Sequence, residues 1–103
     1  MTVDEFLMQA GTPVHMKGYQ TLKRAIEITM NDFDAGMCDT LEVIGKEHGC
    51  TFISCERATR YAITKCYKTM DPAMKNKLFH GKERVTMKEF VKTAAYAIKN
   101  NLV

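Results

Sequence analysis

The stretch that most constrains the fold is Leu41–Lys68, where a short helical pattern, a glycine and a longer basic helical pattern follow one another. Gly49 lies where the first helix should end, because glycine adopts at little steric cost the left-handed φ that ends a helix. Two helices joined by so tight a turn must cross closely, which requires small side chains at the crossing. Gly45, Cys55 and Ala58 meet this requirement. The stretch therefore predicts a helix-turn-helix.

The second helix of this pattern follows Thr51, a candidate N-cap, and continues without Gly or Pro to Lys68. At about 100° per residue, its side chains divide into two faces. The small or apolar face, expected to be core, comprises Cys55, Ala58, Thr59, Ala62 and Cys66. The polar face, expected to be exposed, comprises Glu56, Arg57, Arg60 and Thr64.

The polar face carries side chains suited to reading DNA. Arginine donates two hydrogen bonds to guanine O6 and N7, and glutamate accepts one from cytosine N4, so Glu56, Arg57 and Arg60 are candidate base-reading residues. The other candidate DNA contacts on this helix, of which both lysines suit phosphates, are Thr51, Ile53, Ser54, Thr64, Lys65 and Lys68. The alternative is a solvated face on which a Glu–Arg pair contributes only about 0.2–0.5 kcal/mol.

Composition limits the number of domains, the compartment and the class of function. A chain of 103 residues, 46% hydrophobic and 26% charged, suits one globular domain, predicted here as a single unit over residues 1–103. The net charge of +3 permits nucleic-acid binding without requiring it. No apolar run reaches the roughly 20 residues of a membrane helix, and the acidic start differs from a signal peptide, so we expect a cytoplasmic protein. We find no catalytic constellation and predict no enzyme and no cofactor.

The four cysteines are expected to be reduced. Cys38, Cys50, Cys55 and Cys66 contain no Cys-x-x-Cys pair, and two of them fall on the predicted buried face, where cysteine packs as a small hydrophobe. A zinc site built from the first three cysteines and His48 is the alternative, because zinc accepts thiolates and imidazole in a tetrahedron.

The remaining chain predicts helices throughout, which makes an all-α domain of six helices without a sheet. Capping boxes at Thr2/Glu5, Asp39/Glu42 and Thr86/Glu89 open three of them, and Asp71-Pro72 opens a short helix to about Phe79. Another helix is predicted from Gly18 to about Ala35, ended by Gly36. This helix and the last one carry apolar stripes at three- and four-residue spacing, which include Tyr19, Leu22 and Ile26 in the first and Phe90 and Val91 in the second. Just before it, His15 and Lys17 are interpreted as capping residues, with phosphate contact as the alternative.

Two motifs carry a resemblance. Gly11, Pro13, His15, Lys17, Gly18 and Tyr19 spell G-x-P-x-H-x-K-G-Y, and the predicted reading helix follows with Thr51, Glu56-Arg57-Ala58, Arg60 and Ala62-Ile63. Together they resemble the C-terminal effector domain of the stage-zero sporulation transcription factor family, response regulators of endospore-forming Firmicutes. The likeness extends over nearly the whole chain.

The resemblance implies a six-helix domain, winged-helix-like or plain helix-turn-helix, that binds double-stranded DNA, often in tandem or as a homodimer, on boxes related to TGTCGAA. It implies that Glu56, Arg57 and Arg60 read bases. It also implies that the region Met70–Arg84 contacts the RNA polymerase sigma subunit.

The chain departs from the family pattern at three positions of the reading helix. Ser54 replaces a basic residue, Cys55 a branched apolar one and Thr59 an apolar one. Relatives also carry a receiver domain, for which Met1–Gly11 is too short, so the sequence predicts either an excised or a stand-alone effector domain. The rival interpretation is a helical protein-interaction module that has kept the fold and lost specific DNA binding.

Overall fold

The computed structural model describes residues 1–103 and confirms an all-α fold without strands. Its six helices are α1 (Val3–Gln9), α2 (Lys17–Asn31), α3 (Met37–His48), α4 (Phe52–Thr69), α5 (Pro72–Phe79) and α6 (Met87–Lys99). No helix is both long enough and apolar enough to cross a bilayer. The helix-turn-helix expected at about 39–68 is the pair α3 and α4.

The core lies where α2 packs against α4 on one side and α6 on the other. The predicted apolar stripes face each other there, since Tyr19, Leu22 and Ile26 of α2 and Phe90 and Val91 of α6 are fully buried. Burial of such side chains stabilises a fold by about 1.5–3 kcal/mol each before entropy is subtracted. These stripes were correctly predicted from their three- and four-residue spacing.

An aromatic chain joins the short helices to this core. Phe90 of α6 stacks on Phe79 of α5, with ring centroids 5.6 Å apart, and meets Phe6 of α1 edge-on at 6.5 Å. Phe79 in turn meets Tyr67 of α4 edge-on at 5.3 Å. Offset and edge-on pairs are favourable arrangements of aromatic quadrupoles, so the rings hold α1 and α5 against the larger helices.

Two of the three predicted capping boxes are confirmed. The Thr2 hydroxyl accepts from the Glu5 N–H at 3.1 Å while Glu5 accepts from the Thr2 N–H at 2.9 Å. Thr86 and Glu89 repeat the arrangement at the start of α6. These reciprocal bonds satisfy backbone donors that a helix start otherwise leaves without partners.

The predictions around residues 31–39 are wrong. The helix from Gly18 ends at Asn31 rather than near Ala35, because the Asp32 carboxylate turns the chain by accepting from the Asp34 N–H at 3.0 Å. A lysine of α6 donates a hydrogen bond to a backbone carbonyl just beyond the C-terminal end of α2: Lys92 Nζ donates to the Phe33 oxygen at 2.6 Å. Gly36 is the N-cap of α3, so the expected Asp39/Glu42 box does not form.

The tight turn between α3 and α4 has the expected chemistry. Gly49 ends α3 with a φ of 67°, and the Cys50 N–H donates to the Gly45 oxygen at 2.9 Å. The Thr51 hydroxyl then caps α4 by accepting from the Ser54 N–H at 3.1 Å. The chain therefore leaves α3 and enters α4 within three residues.

The expectation that all four cysteines are reduced is wrong for two of them. Cys50 and Cys55 are joined by a disulfide, with their Cα atoms 6.5 Å apart, whereas Cys38 and Cys66 are free. The Gly49 turn folds Cys50 back over the first turn of α4, a proximity that a spacing of five residues does not reveal. The alternative zinc set is also wrong, because two of its thiols are bonded to each other.

Candidate nucleic-acid interface

The position of α4 is set by direct contact with the backbone of α2. Gly18 is buried at the crossing, and a Cβ atom on it would lie only 2.0 Å from the Ala58 carbonyl oxygen and 2.9 Å from the Ala62 Cβ. No side chain fits in that space. The backbones therefore touch, and the outward face of α4 is fixed relative to the core.

A buried pair of threonines reinforces the same crossing. Thr59 Oγ1 of α4 donates to Thr21 Oγ1 of α2 at 2.8 Å, and Thr21 Oγ1 donates to the Gly18 oxygen at 3.0 Å. Thr59 has no exposed surface. Its hydroxyl, which departs from the apolar residue of the family pattern, is thus satisfied inside the interface, as most buried polar groups are.

An ion pair holds α3 to α2 from the other side. The Arg24 guanidinium donates to both carboxylate oxygens of Glu47, at 2.9 and 3.0 Å. This hydrogen bonding lowers the pKa of the Glu47 carboxyl from its ordinary value. Bidentate geometry is the favourable case for a half-exposed pair, and it fixes the helix that precedes the turn.

The three candidate base-reading residues share the outward face of α4. Arg57 is exposed and forms no salt bridge. The Arg60 side chain is 61% exposed and its Nε lies 3.4 Å from the Glu56 carboxylate, one helical turn away. Such a surface pair is weak, so both side chains are free to exchange partners. The face therefore offers two guanidinium groups and one carboxylate to a ligand.

The other candidate contacts lie along the same helix. Thr51 is exposed and Ser54 half-buried at its start, and Ile53 between them is 62% exposed. Lys65 and Lys68 are exposed further along, with Lys65 Nζ 5.9 Å from the centre of the Tyr61 ring. The Thr64 hydroxyl is exposed but donates to the Arg60 carbonyl at 3.0 Å. Of the nine predicted site residues, eight thus lie on α4 and Thr51 is its N-cap. Seven of the nine are exposed, and Ser54 and Glu56 are half-buried.

A groove beside this face was not foreseen. It encloses about 580 Å³ between the first turn of α2 and the N-terminal half of α4, and its lining is Met16, Lys17, Gly18, Thr51, Ile53, Ser54, Arg57, Ala58 and Tyr61. The lining residues missed by sequence reasoning are Met16 and Tyr61. The K-G-Y motif indicated this groove, because it contains Gly18, at which α2 and α4 cross.

The prediction that His15 and Lys17 cap α2 is wrong. The N-cap is Met16, whose side chain makes no capping hydrogen bond, and both neighbouring side chains are exposed. The backbone N–H groups of the first turn of α2 therefore lack side-chain partners next to the groove. Phosphate contact, the alternative interpretation, stays a prediction.

A second groove of about 630 Å³ lies between the C-terminal half of α4, α5 and the loop before α6. Four of its side chains are basic and one is acidic: Arg60, Lys68, Lys75, Arg84 and Glu83. Lys75 Nζ lies 4.8 Å from the centre of the Tyr67 ring, and the Tyr67 hydroxyl donates to the Lys82 carbonyl. The groove overlaps the region Met70–Arg84 at Lys75, Glu83 and Arg84. No group of three or more His, Cys, Asp or Glu side chains is placed to hold a metal ion.

Comparison with known proteins agrees with this architecture. The model of a protein family described as the C terminal of sporulation initiation factor Spo0A matches residues 3–98, from the start of α1 into the last turn of α6. No solved structure matches the chain. The family match confirms the resemblance inferred from the two sequence motifs.

Proposed function

The chain belongs to the family of sporulation initiation factor Spo0A C-terminal domains, which are DNA-binding transcription factor domains and not enzymes, and we propose that it reads short DNA boxes in the major groove with α4. The observation that carries this proposal is the outward face of α4. Arg57 in the second turn and Arg60 at the middle of α4 are exposed on a helix whose orientation is fixed by backbone contact at Gly18.

Base reading falls to Glu56, Arg57 and Arg60 in this proposal. The guanidinium groups suit guanine O6 and N7, and the carboxylate suits cytosine N4. On binding, the weak Glu56–Arg60 pair is exchanged for base contacts. Ile53, exposed in the first turn, provides an apolar surface for a thymine methyl.

Backbone contacts fall to residues on both sides of the base readers. Lys65 and Lys68 suit phosphates, and the hydroxyls of Thr51 and Ser54 suit donation to phosphate oxygens. The Thr64 hydroxyl must first give up its hydrogen bond to the Arg60 carbonyl before it donates to a phosphate. The first turn of α2, with Lys17 at its start, faces the same groove as Arg57. Its uncapped N–H groups favour an anion. Because Ser54 replaces a cation, we expect fewer phosphates to be neutralised here than in relatives.

The second candidate function is a helical protein-interaction module that has lost specific DNA binding. It is favoured by the Ser54 departure and by the mixed basic and aromatic groove between α4 and α5. DNA affinity falls with a slope of about −0.9 in log K against log salt for each neutralised phosphate. A groove with four basic side chains also binds an acidic partner more weakly at high salt. Preference for the boxes over a scrambled duplex therefore separates the two functions.

The test is fluorescence anisotropy of this chain with a duplex carrying two tandem TGTCGAA-like boxes and with a scrambled duplex of equal length, at two salt concentrations. We expect tighter, salt-sensitive binding to the boxes. Equal and feeble binding to both duplexes would support the protein-interaction module instead. A single-box duplex in the same series measures whether binding occurs in tandem or as a homodimer.

The RNA polymerase sigma subunit is proposed as a further partner of the region Met70–Arg84. Lys75 and Lys77 lie on α5, of which Lys77 is exposed and Lys75 half-buried against Tyr67. The amount of chain captured in a pulldown with the sigma subunit should fall when both lysines are changed to Ala, and unchanged capture would refute the assignment.

We further propose that residues 1–103 act as one domain, and that this domain works in the cytoplasm, where the bacterial DNA lies.

A further inference from the structure

The disulfide between Cys50 and Cys55 lies inside the helix-turn-helix. Cys50 directly precedes the N-cap Thr51, and Cys55 lies in the first turn and a half of α4, 99% buried. Their Cα atoms are 6.5 Å apart, within the range of about 4.4–6.8 Å that a disulfide bridges. The bond therefore ties the turn to the part of α4 that carries the candidate base readers.

The pair is packed against Gly45 of α3. A Cβ on Gly45 would lie 2.9 Å from the Cys50 carbonyl oxygen and 3.8 Å from Cys55 Sγ. The Cys55 sulfur and the Cys50 carbonyl thus lie at the crossing of α3 and α4, where a change in the bonding of the two cysteines acts on both helices. Cys50 is half-buried and so is partly open to solvent, whereas Cys55 is enclosed.

We propose that Cys50 and Cys55 form a reversible redox-modification site, oxidised by hydroperoxides and reduced by dithiols, whose disulfide form holds the first turn of α4 ready to bind DNA. In the cytoplasm proposed above, disulfides are typically transient and redox-sensing, whereas the chemistry of this pair depends only on its geometry. The effect on DNA rests on the proposed function, but the sulfur chemistry does not.

Cys50 and Cys55 have different roles because they differ in exposure: Cys50 is partly open to solvent and meets the peroxide, and Cys55 is enclosed and closes the disulfide. The thiolate of Cys50 attacks one peroxide oxygen, the O–O bond breaks, and hydroxide leaves and takes up a proton, which gives a sulfenic acid and water. The Cys55 sulfur then attacks the Cys50 sulfur, the S–O bond breaks, and a second water leaves as the S–S bond forms. In total two thiols lose two electrons and two protons to the peroxide. A dithiol reverses the bond by thiol–disulfide exchange and becomes oxidised itself.

The other two cysteines are poor competitors within one chain. Cys66 is fully buried, and burial raises the pKa of its thiol to about 11, which disfavours the reactive thiolate. Cys38 is exposed on α3 and open to peroxide, but it is not paired with another cysteine, so its oxidation closes no disulfide within the chain. The disulfide also reduces the conformational entropy of the unfolded turn. The start of α4, including Ile53 and Ser54, therefore loses less entropy when it binds DNA.

The chemistry is tested by peptide mapping of the full chain, because trypsin leaves both cysteines in one peptide, residues 47–57. After hydrogen peroxide and then iodoacetamide, we expect this peptide to lack alkyl groups and to be two hydrogens lighter than the reduced peptide. Dithiothreitol given first should restore two alkylation sites. Two alkylated thiols in this peptide after peroxide would overturn the site.

The effect of the bond is tested by melting and by anisotropy on the box duplex. Oxidation should raise the melting midpoint by about 5–10 °C and tighten box binding several-fold. Cys50→Ser, which keeps the size of a half-buried side chain, should respond to neither reagent, while Cys38→Ser should respond like the parent. A crosslinked chain with an unchanged midpoint and unchanged affinity would refute the locking role. If neither the oxidised nor the reduced chain prefers the box duplex, the proposed base reading is wrong. Peptide mapping and the melting midpoint still test the redox site in that case.

Discussion

Arg57 is the side chain on which base reading depends most directly, because it is exposed near the start of α4 and has no carboxylate partner. We expect Arg57→Ala to cost about 1–3 kcal/mol of binding free energy and to relax the preference at one base pair. Lys65→Ala should instead weaken binding to all sequences equally and reduce the salt slope by about one. Anisotropy with single-base-pair variants of the box measures both. Identical behaviour of the two variants would refute the division into base and phosphate readers.

Ile53 tests a different kind of recognition, since it is 62% exposed and has no polar group. If it contacts a thymine methyl, replacing that thymine by uracil should cost about 0.8 kcal/mol, roughly a fourfold loss of affinity. Ile53→Ala should abolish the difference between the two duplexes. Val43→Ala, an exposed aliphatic change on α3, should preserve it. A persistent difference in the Ile53 variant would assign the methyl contact to another residue.

The crossing of α2 and α4 is the element that orients the interface, and Gly18 is its narrowest point. Gly18→Ala would place a methyl group 2.0 Å from the Ala58 oxygen, so the helices must separate. We expect a loss of about 1–3 kcal/mol or more in the free energy of unfolding, measured by urea titration, together with weaker box binding.

Gly36→Ser is the matched control for that substitution. A Cβ there would meet only the Asp39 carboxylate, at 3.9 Å, and the φ of −72° suits any residue. Since serine is also a favourable N-cap, the stability should not fall. Equal destabilisation by both substitutions would mean that the backbone contact at Gly18 does not control the packing of α4.

The hydrogen bond between Thr21 and Thr59 across the same crossing predicts that substitutions at these two positions have coupled effects on stability. Thr21→Val removes the acceptor of the buried Thr59 hydroxyl, which should cost about 1–3 kcal/mol. The double variant with Thr59→Val leaves no hydroxyl without a partner, so it should be less destabilised than the sum of the single variants. A double-mutant cycle by urea unfolding measures this, and strict additivity would show that the hydrogen bond is not formed.

At the scale of the whole molecule, three ion pairs predict acid sensitivity, and two of them join different helices. Hydrogen bonds from Lys23, Arg24 and Lys82 lower the pKa of Asp4, Glu47 and Glu89 below their ordinary values. A carboxyl with a lower pKa in the folded than in the unfolded state contributes stability that is present at neutral pH and is lost as the pH falls. The urea midpoint should therefore drop as the pH falls below about 4.5, the ordinary value for glutamate.

Glu47→Gln isolates one of these pairs. Its loss of stability between pH 7 and pH 3 should be smaller than that of the parent, because one proton-linked interaction is gone. Glu42→Gln is the control, since Glu42 is exposed and forms no salt bridge. An equal loss in all three proteins would show that the Arg24–Glu47 pair does not contribute to acid sensitivity.

The sequence by itself determined the helical elements, two capping boxes, the Gly49 turn and the polar face of α4, because each depends on residues within one or two helical turns of one another. Only the tertiary structure decided how these parts meet. The Thr59–Thr21 bond joins residues 38 positions apart. The end of α2 at Asn31 is stabilised by Lys92 of α6, and the groove beside Arg57 exists because Gly18 admits the α4 backbone. Such contacts depend on packing between distant segments, for which a single sequence carries no periodic signal.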